Sequence, residues 1–207
     1  MPARVKPPVA MSDVVLVDAG GSNIGSLRYA LQRLGVEAIL SAHAGRIRAA
    51  THVILPGVGA AAPGMQRLRD AGLIEVIRGL SQPVLGVCLG MQLLFERSEE
   101  GDTSCLGLIP GEVQRFPQRA NLRIPHMGWN GLCLERDSEL FIDVEAESYM
   151  YFVHSYAVPP TAHTLASAEH GCRFAAVVQR DNFYGMQFHP ERSGPAGAQL
   201  LINFLAL

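Results

Sequence analysis

The stretch PVLGVCLGMQLLF, Pro83 to Phe95, constrains the fold more than any other part of the chain. Val84 to Val87 is a short apolar run of the length of a buried strand, and Leu89 to Phe95 reads as the start of a helix. Between them stands Cys88, with Gly86 two residues before it and Gly90 two residues after. Gly-x-Cys-x-Gly is the thiol counterpart of the Gly-x-Ser-x-Gly elbow, where a nucleophile stands on a sharp bend from strand to helix. Flanking glycines let neighbouring backbone approach a bend that a Cβ would obstruct. A thiol there meets the unpaired N–H groups and positive dipole end of a helix, which favour thiolate. The Leu89 N–H is placed to donate to an oxyanion. An arbitrary cysteine is more often buried and inert, and the elbow pattern reverses that reading.

The chain before the elbow supplies the sheet. Val14-Val15-Leu16-Val17-Asp18 is a buried strand ending in a carboxylate, and Ala19-Gly20-Gly21-Ser22-Asn23 is a glycine turn with Ser22 or Asn23 as N-cap. Leu27, Ala30, Leu31 and Leu34 follow at helical spacing, Gly35 closes the helix, and Val36 to Leu40 is a second strand. Strand, helix, strand in this order predicts a parallel sheet. The run Gly20 to Gly25 does not match Gly-x-Gly-x-x-Gly, so no dinucleotide site is indicated. Thr51 to Leu55 is the third strand, followed by Pro56-Gly57-Val58-Gly59-Ala60. Ligands of open α/β sheets lie outside the carboxyl ends of the strands. That puts this loop beside Cys88, either as an ordinary tight turn or with the Val58 N–H as a second oxyanion donor. Met65 to Leu80 reads as helical with a break at Gly72. Glu96 to Gly101 ends the elbow helix in a charge cluster of the kind that is usually solvated.

From Leu106 the pattern changes to short strands split by glycines, prolines and Asp-Asn: 108–116, 132–135, 149–156, 164–168, 174–180 and 183–188. A closing helix, 196–205, carries Leu200, Leu201, Phe204 and Leu205 as its apolar side. These lengths predict antiparallel or mixed additions to the first sheet, giving one α/β domain over 13–207 with a β-rich second half. Residues 1–12 read as a disordered extension without the apolar region of a secretory signal, and Met11 is an alternative start. With 48% hydrophobic and 17% charged residues there is ample core, and a net charge of −2 gives no reason to expect nucleic acid or an acidic membrane as partner. No apolar run reaches the length of a membrane span. The four cysteines are widely spaced, which suggests neither a zinc site nor a disulfide framework and favours a reduced, cytoplasmic setting.

A thiolate nucleophile needs a proton shuttle, and the shuttle needs an acceptor to orient it. His189 and Glu191 end a predicted strand with Pro190 between them stiffening the backbone. The other histidines, His43, His52, His126, His154, His163 and His170, carry no such companion and read as packed or surface residues.

Gly86-Val87-Cys88-Leu89-Gly90-Met91-Gln92 together with Gln187-Phe188-His189-Pro190-Glu191 resembles the class I, triad-type glutamine amidotransferases. Within that family, four stretches look like the glutaminase subunit of imidazole glycerol phosphate synthase: Asp18-x-Gly20-x-x-Asn23, Leu55 to Gly59, Pro125-His126-Met127-Gly128-Trp129-Asn130, and Tyr151-Phe152-Val153-His154-Ser155-Tyr156. The resemblance spans about residues 13–207. It implies a flavodoxin-like open sheet and no cofactor or metal. It also implies attack by Cys88 on the glutamine amide, proton delivery by His189 held by Glu191, and oxyanion donors at Leu89 and Val58. The glutamine pocket maps onto Gly57, Gly59, Gln92, Glu100, Ser155 and Tyr156, with Glu100 facing the α-ammonium. The implied partner is a cyclase subunit, a (β/α)8 barrel that receives the ammonia in histidine biosynthesis. Met127, Trp129 and Asn130 would lie at that interface, and Tyr151 and Arg192 near the ammonia exit, with Asn23 close by. The resemblance further implies an oxyanion loop that is often misarranged until the partner and its substrate bind.

Three rivals remain. The same chemistry can feed another acceptor, as in pyridoxal phosphate synthase, but Pro125 to Asn130 belongs to the imidazole glycerol phosphate branch. A non-catalytic relative would lack a Cys, His or Glu, and none is missing. A cysteine peptidase or chaperone-like relative would lack Gln187 to Glu191.

Overall fold

A computed structural model describes residues 13–18, 24–120 and 122–207. The first half alternates strands and helices: β1 (Val14–Val17), α1 (Ile24–Arg33), β2 (Ile39–Ser41), α2 (Ala44–Ala49), β3 (His52–Leu55), α3 (Ala61–Asp70), α4 (Ile74–Arg78), β4 (Val84–Val87) and α5 (Leu89–Leu93). The second half is mostly strand: β5 (Phe95–Ser98), β6 (Thr103–Ser104), β7 (Ile109–Arg115), β8 (His126–Gly131), β9 (Cys133–Leu134), β10 (Tyr149–His154), β11 (Tyr156–Ala157), β12 (Thr164–Glu169), β13 (Arg173–Arg180) and β14 (Phe183–Met186), closed by α6 (Gly194–Phe204).

The main sheet has the order β2-β1-β3-β4-β14-β13-β12-β9. Its first five strands are mutually parallel, and β13, β12 and β9 extend it antiparallel. This is the doubly wound arrangement expected from the first half, with the predicted β-rich additions on one edge.

All four residues of β1 are buried because the sheet is covered on both faces, and alternate side chains meet opposite layers. Val14 and Leu16, with Ile54 and Leu85, meet Leu27 and Leu31 of α1 and Leu200, Leu201 and Phe204 of α6. Val15 and Val17, with Val53 and Val84, meet Ile47 of α2, Met65 and Leu68 of α3, and Ile77 of α4. Each such side chain, fully withdrawn from water, contributes about 1.5–3 kcal/mol. Helix α1 closes at Gly35 with φ +80, and the α3–α4 break falls at Gly72 with φ +66, both as the sequence predicts.

Two expectations are corrected. The elbow helix does not run to Phe95: it ends at Leu93, and 95–98 is strand β5, paired parallel with β7. Phe95 is fully buried there, and burying that ring in a β register outweighs one more helical turn. The later strands also do not all join the first sheet. β11, β7, β5 and β6 form a separate four-stranded sheet, and β8 pairs with β10 in a two-stranded one. Residues 1–12 and the turn 19–23, including the expected N-cap and Asn23, lie outside the described residues. Among the described residues, no helix is long and apolar enough to cross a membrane.

Candidate active site

Strands β4 and β14 are parallel neighbours in register, Met186 beside Val87, and they end together. The Cys88 N–H donates to the Met186 carbonyl at 2.8 Å, which fixes the elbow to the strand that leads to His189. Cys88 itself has φ 53 and ψ −110, a conformation that costs a non-glycine residue about 1–3 kcal/mol and is paid at functional turns. A Cβ on Gly86 would lie 2.6 Å from the Gly90 carbonyl oxygen, and one on Gly57 2.8 Å from the Gly90 nitrogen. The glycines thus serve close packing of elbow against loop, and Gly57 packs against Leu89 and Gly90 without lining the cavity next to Cys88.

That cavity, of about 350 Å³, brings most of the candidate residues together: Val58, Gly59, Cys88, Leu89, Gln92, Glu100, Ser155, Tyr156, His189 and Arg192. His189 Nδ1 lies 3.0 Å from Glu191 Oε1, and both side chains are buried. Burial pushes the imidazole down. Hydrogen bonds with Cys88 and Glu191, and the negative charge of both, outweigh it and hold His189 up at about 10. The site therefore favours a protonated imidazole between the Cys88 sulfur and the Glu191 carboxylate. Such a trio can attack an acyl carbon and hand a proton to the leaving group. The backbone at His189 is tied down as well: its N–H donates to the Tyr151 carbonyl at 2.9 Å, and its own carbonyl accepts from Ser193 Oγ at 2.7 Å.

Glu100 Oε2 accepts from the Ala61 N–H at 2.8 Å, so the carboxylate is held at the rim by the start of α3. Gln92 Nε2 donates to the Tyr156 carbonyl at 2.9 Å and to Gln187 Oε1 at 3.0 Å. It spends its donors on tying the elbow helix to the opposite wall. Gln187 stands in the recognised motif yet received no role from the sequence; its Nε2 sits 3.9 Å from Cys88 Sγ.

The candidate interface residues fall on the β8–β10 hairpin. Register places Trp129 beside Tyr151 and Met127 beside Val153 on one face. Met127 is 64% exposed, Trp129 56% and Tyr149 64%, three large apolar side chains turned to solvent on that face. Arg192 lies over the Tyr151 ring at 4.9 Å, and Trp129 meets that ring edge-on at 5.9 Å, so these three form a unit at the cavity mouth. Asn130 alternates to the other face, where its amide donates to the Glu169 carbonyl at 2.8 Å.

The inward face of the hairpin carries His126 and His154 among Phe116, Phe152 and Phe174. For these two imidazoles the packed reading holds. Burial, with the neighbouring His170 charge, lowers His126 to about 4. Burial also takes His154 down to about 3, against its bond to Tyr156 and aided by His126, His170 and His189. Both values lie below the unfolded histidine value of about 6.5, so on acidification the unfolded chain takes up protons first. Stability is full above pH 6.5 and is lost as pH falls toward 4 and 3. By pH 5 each histidine costs about 2 kcal/mol. Urea unfolding at pH 7 and pH 5 is expected to show this drop, with a smaller one in His126→Phe; equal midpoints at both pH values would contradict it.

A family model for class-I glutamine amidotransferases matches residues 15–207. The imidazole glycerol phosphate synthase subunit HisH of Xanthomonas axonopodis pv. citri is 55% identical over 197 residues, 95% of this chain and 98% of that protein. The subunit of the same name from Xylella fastidiosa strain Temecula1 is 54% identical over the same shares. The crystal structure of a glutamine amidotransferase superposes with TM-score 0.71 at 20% identity, covering 93% of this chain and 97% of that one. Another, from Thermotoga maritima, gives 0.63 at 16%, covering 95% and 82%. At those identities the structures speak to the fold alone. The sequence relatives go further, and the chain belongs to the class-I glutamine amidotransferases and, among them, to the family of the imidazole glycerol phosphate synthase subunit HisH.

Proposed function

We propose that the chain hydrolyses L-glutamine to glutamate and ammonia through a thioester on Cys88 and passes the ammonia to a cyclase subunit. The observation that carries this is Cys88 and His189 on the wall of a cavity sized for an amino acid, with Glu191 bonded to the far side of His189. Cys88 Sγ attacks the side-chain amide carbon, and the N–H groups of Leu89 and Val58 receive the oxyanion. The His189 imidazolium already carries the proton that the departing nitrogen needs. Ammonia leaves, the now neutral imidazole takes a proton from water, and hydroxide attack on the thioester frees glutamate. Glu191 keeps the imidazole oriented in both halves. Glu100 at the rim meets the α-ammonium, and Gly59 and the Ser155-Tyr156 backbone shape the pocket.

Ammonia released into water becomes ammonium, which is no nucleophile, so the site needs a docked consumer. The exposed face of Met127, Trp129 and Tyr149 beside Tyr151 and Arg192 supports a partner seated over the cavity mouth. We assign that partner as the (β/α)8-barrel cyclase that makes imidazole glycerol phosphate and aminoimidazole carboxamide ribotide in histidine biosynthesis. The domain is taken as 13–207 and the setting as the reducing cytoplasm, consistent with four unpaired cysteines.

The test is release of ammonia and glutamate from glutamine by the purified chain, alone and with the cyclase subunit and its phosphoribulosyl ligand. Equimolar products at a rate raised at least about tenfold by the loaded cyclase are expected, on the scale of completing one oxyanion contact. A rate indifferent to that cyclase would keep the hydrolysis and remove the assigned acceptor. No release in either condition would remove the enzymatic reading.

A further inference from the structure

We propose that Asn130, His126 and His154 are positioning residues for the glutamine site: a one-way file of hydrogen bonds that fixes the Tyr156 carbonyl to strand β8. The inference rests on the amidotransferase reading of the cavity and extends it to residues that act through the Tyr156 carbonyl; of the three, His154 also borders the cavity.

The direction of the file follows from chemistry at its two ends. The Tyr156 carbonyl can only accept, so the His154 Nδ1 that lies 2.8 Å from it carries a proton. A neutral His154 then has a bare Nε2, and His126 Nδ1, 3.2 Å away, must donate to it. A neutral His126 in turn accepts at Nε2, where Asn130 Nδ2 lies at 3.4 Å. Asn130 is oriented at the far end by the Glu169 carbonyl, which also only accepts. Every donor in the file therefore points toward Tyr156. Burial among phenylalanine rings, which keeps both imidazoles neutral, is what allows a single tautomer at each.

The receiving carbonyl belongs to a residue that lines the site. It takes a second hydrogen bond, from Gln92 on the elbow helix, and Ser155 and Tyr156 line the same cavity as Cys88. Elbow helix, pocket wall and β8 are thereby joined in one polar chain through an otherwise aromatic layer. Pairing of His126 with His154 across the β8–β10 register, 28 residues apart, is the only reason the file can form. On its outer face β8 presents Met127 and Trp129. A displacement of that strand reaches the glutamine pocket through the file, whose hydrogen bonds are made to Tyr156 and to none of Cys88, His189 and Glu191. Its signature is therefore glutamine affinity rather than chemistry.

The experiment uses the full chain assembled with the cyclase subunit and its ligand. His154→Phe keeps the ring and the packing and removes both nitrogens. It is expected to raise the KM for glutamine about tenfold, the scale of one misplaced hydrogen bond at a substrate-contacting group, with kcat changed less than about threefold. His154→Asn puts an amide nitrogen where Nδ1 stood and is expected to recover most of the loss. His126→Phe should shift KM in the same direction by less. Equal impairment in His154→Phe and His154→Asn, or a KM unchanged in both, overturns the proposal. A second measurement needs no variant: imidazole 15N shifts of the wild-type chain between pH 6 and 8 should show both histidines neutral with the proton on Nδ1. An Nε2-protonated His154 overturns the file. A wild-type assembly that releases no ammonia overturns the amidotransferase reading instead, and is told apart by failing before any variant is compared.

Discussion

Cys88→Ala is expected to abolish glutamine hydrolysis, by at least about 10⁴-fold, while leaving the fold intact. The magnitude follows from loss of a nucleophile that acts as a unit with its base, where removing either member costs nearly the whole of the chemistry. Any loss of stability should be modest, because alanine keeps the Cβ. The strain at φ 53 is then the same for both residues. The sulfur's contacts to the Val153 carbonyl and from Gln187 Nε2 are long, both 3.9 Å, so what is lost is its hydrogen bond with His189. The variant also reports on the proton. His189 is held at about 10 partly by its hydrogen bond to Cys88 and the sulfur's charge, so its titration should move down when the sulfur is removed. Glutamate release with the cyclase subunit present, a melting curve, and imidazole titration by NMR check the three statements. Residual turnover above about one hundredth of wild type would place the nucleophile elsewhere.

The same residue shows what the sequence made legible. Val84 to Val87 and Cys88 are local: an apolar strand, a bend, two glycines at fixed offsets. His189 and Glu191 are local too, whereas the parallel pairing of β4 with β14 is not: 183–188 read only as one of several antiparallel or mixed additions to the first sheet. The extent of α5 was not legible. Leu89 to Phe95 is almost uniformly apolar, so periodicity cannot separate a helix from a strand, and the partner that decides for β5 is Ile109, fourteen residues on. Strand β8 was missed for a related reason. Gly128, at φ 133, lowers its local propensity, and only pairing with β10 makes it a strand. With β8 missing, the opposition of His126 and His154 could not be seen, and each looked like an isolated packed histidine. Their one local signal was position: His154 immediately precedes the Ser155-Tyr156 pair, and His126 opens the Met127–Trp129 stretch.

Gly90→Ala is expected to do more damage to the fold than any other single methyl group added to the elbow. An ideal Cβ there would overlap the Leu55 carbonyl oxygen and lie 2.9 Å from the carbonyl carbon, at the end of β3. Both sides of the clash are backbone, so no rotamer relieves it. Helix α5 cannot retreat from β3 either, since a Cβ-less Gly86 already packs against the Gly90 carbonyl and Gly57 against the Gly90 nitrogen. Relief requires parting the elbow from β3, which gives up the buried contacts of Leu89 and Met91. The cost should exceed about 4 kcal/mol, a large share of the stability of a domain of this size. Gly35→Ala is the matched control. It forces alanine to φ +80 with nothing within 4 Å, so it should cost only the left-handed penalty of about 1–2 kcal/mol. Urea unfolding separates the two: Gly35→Ala with a modestly lowered midpoint, Gly90→Ala without a cooperative transition or with a midpoint far below it. If Gly90→Ala instead unfolds like Gly35→Ala, the elbow has room to yield. The contact between α5 and β3 would then not be what holds Cys88 in its strained geometry.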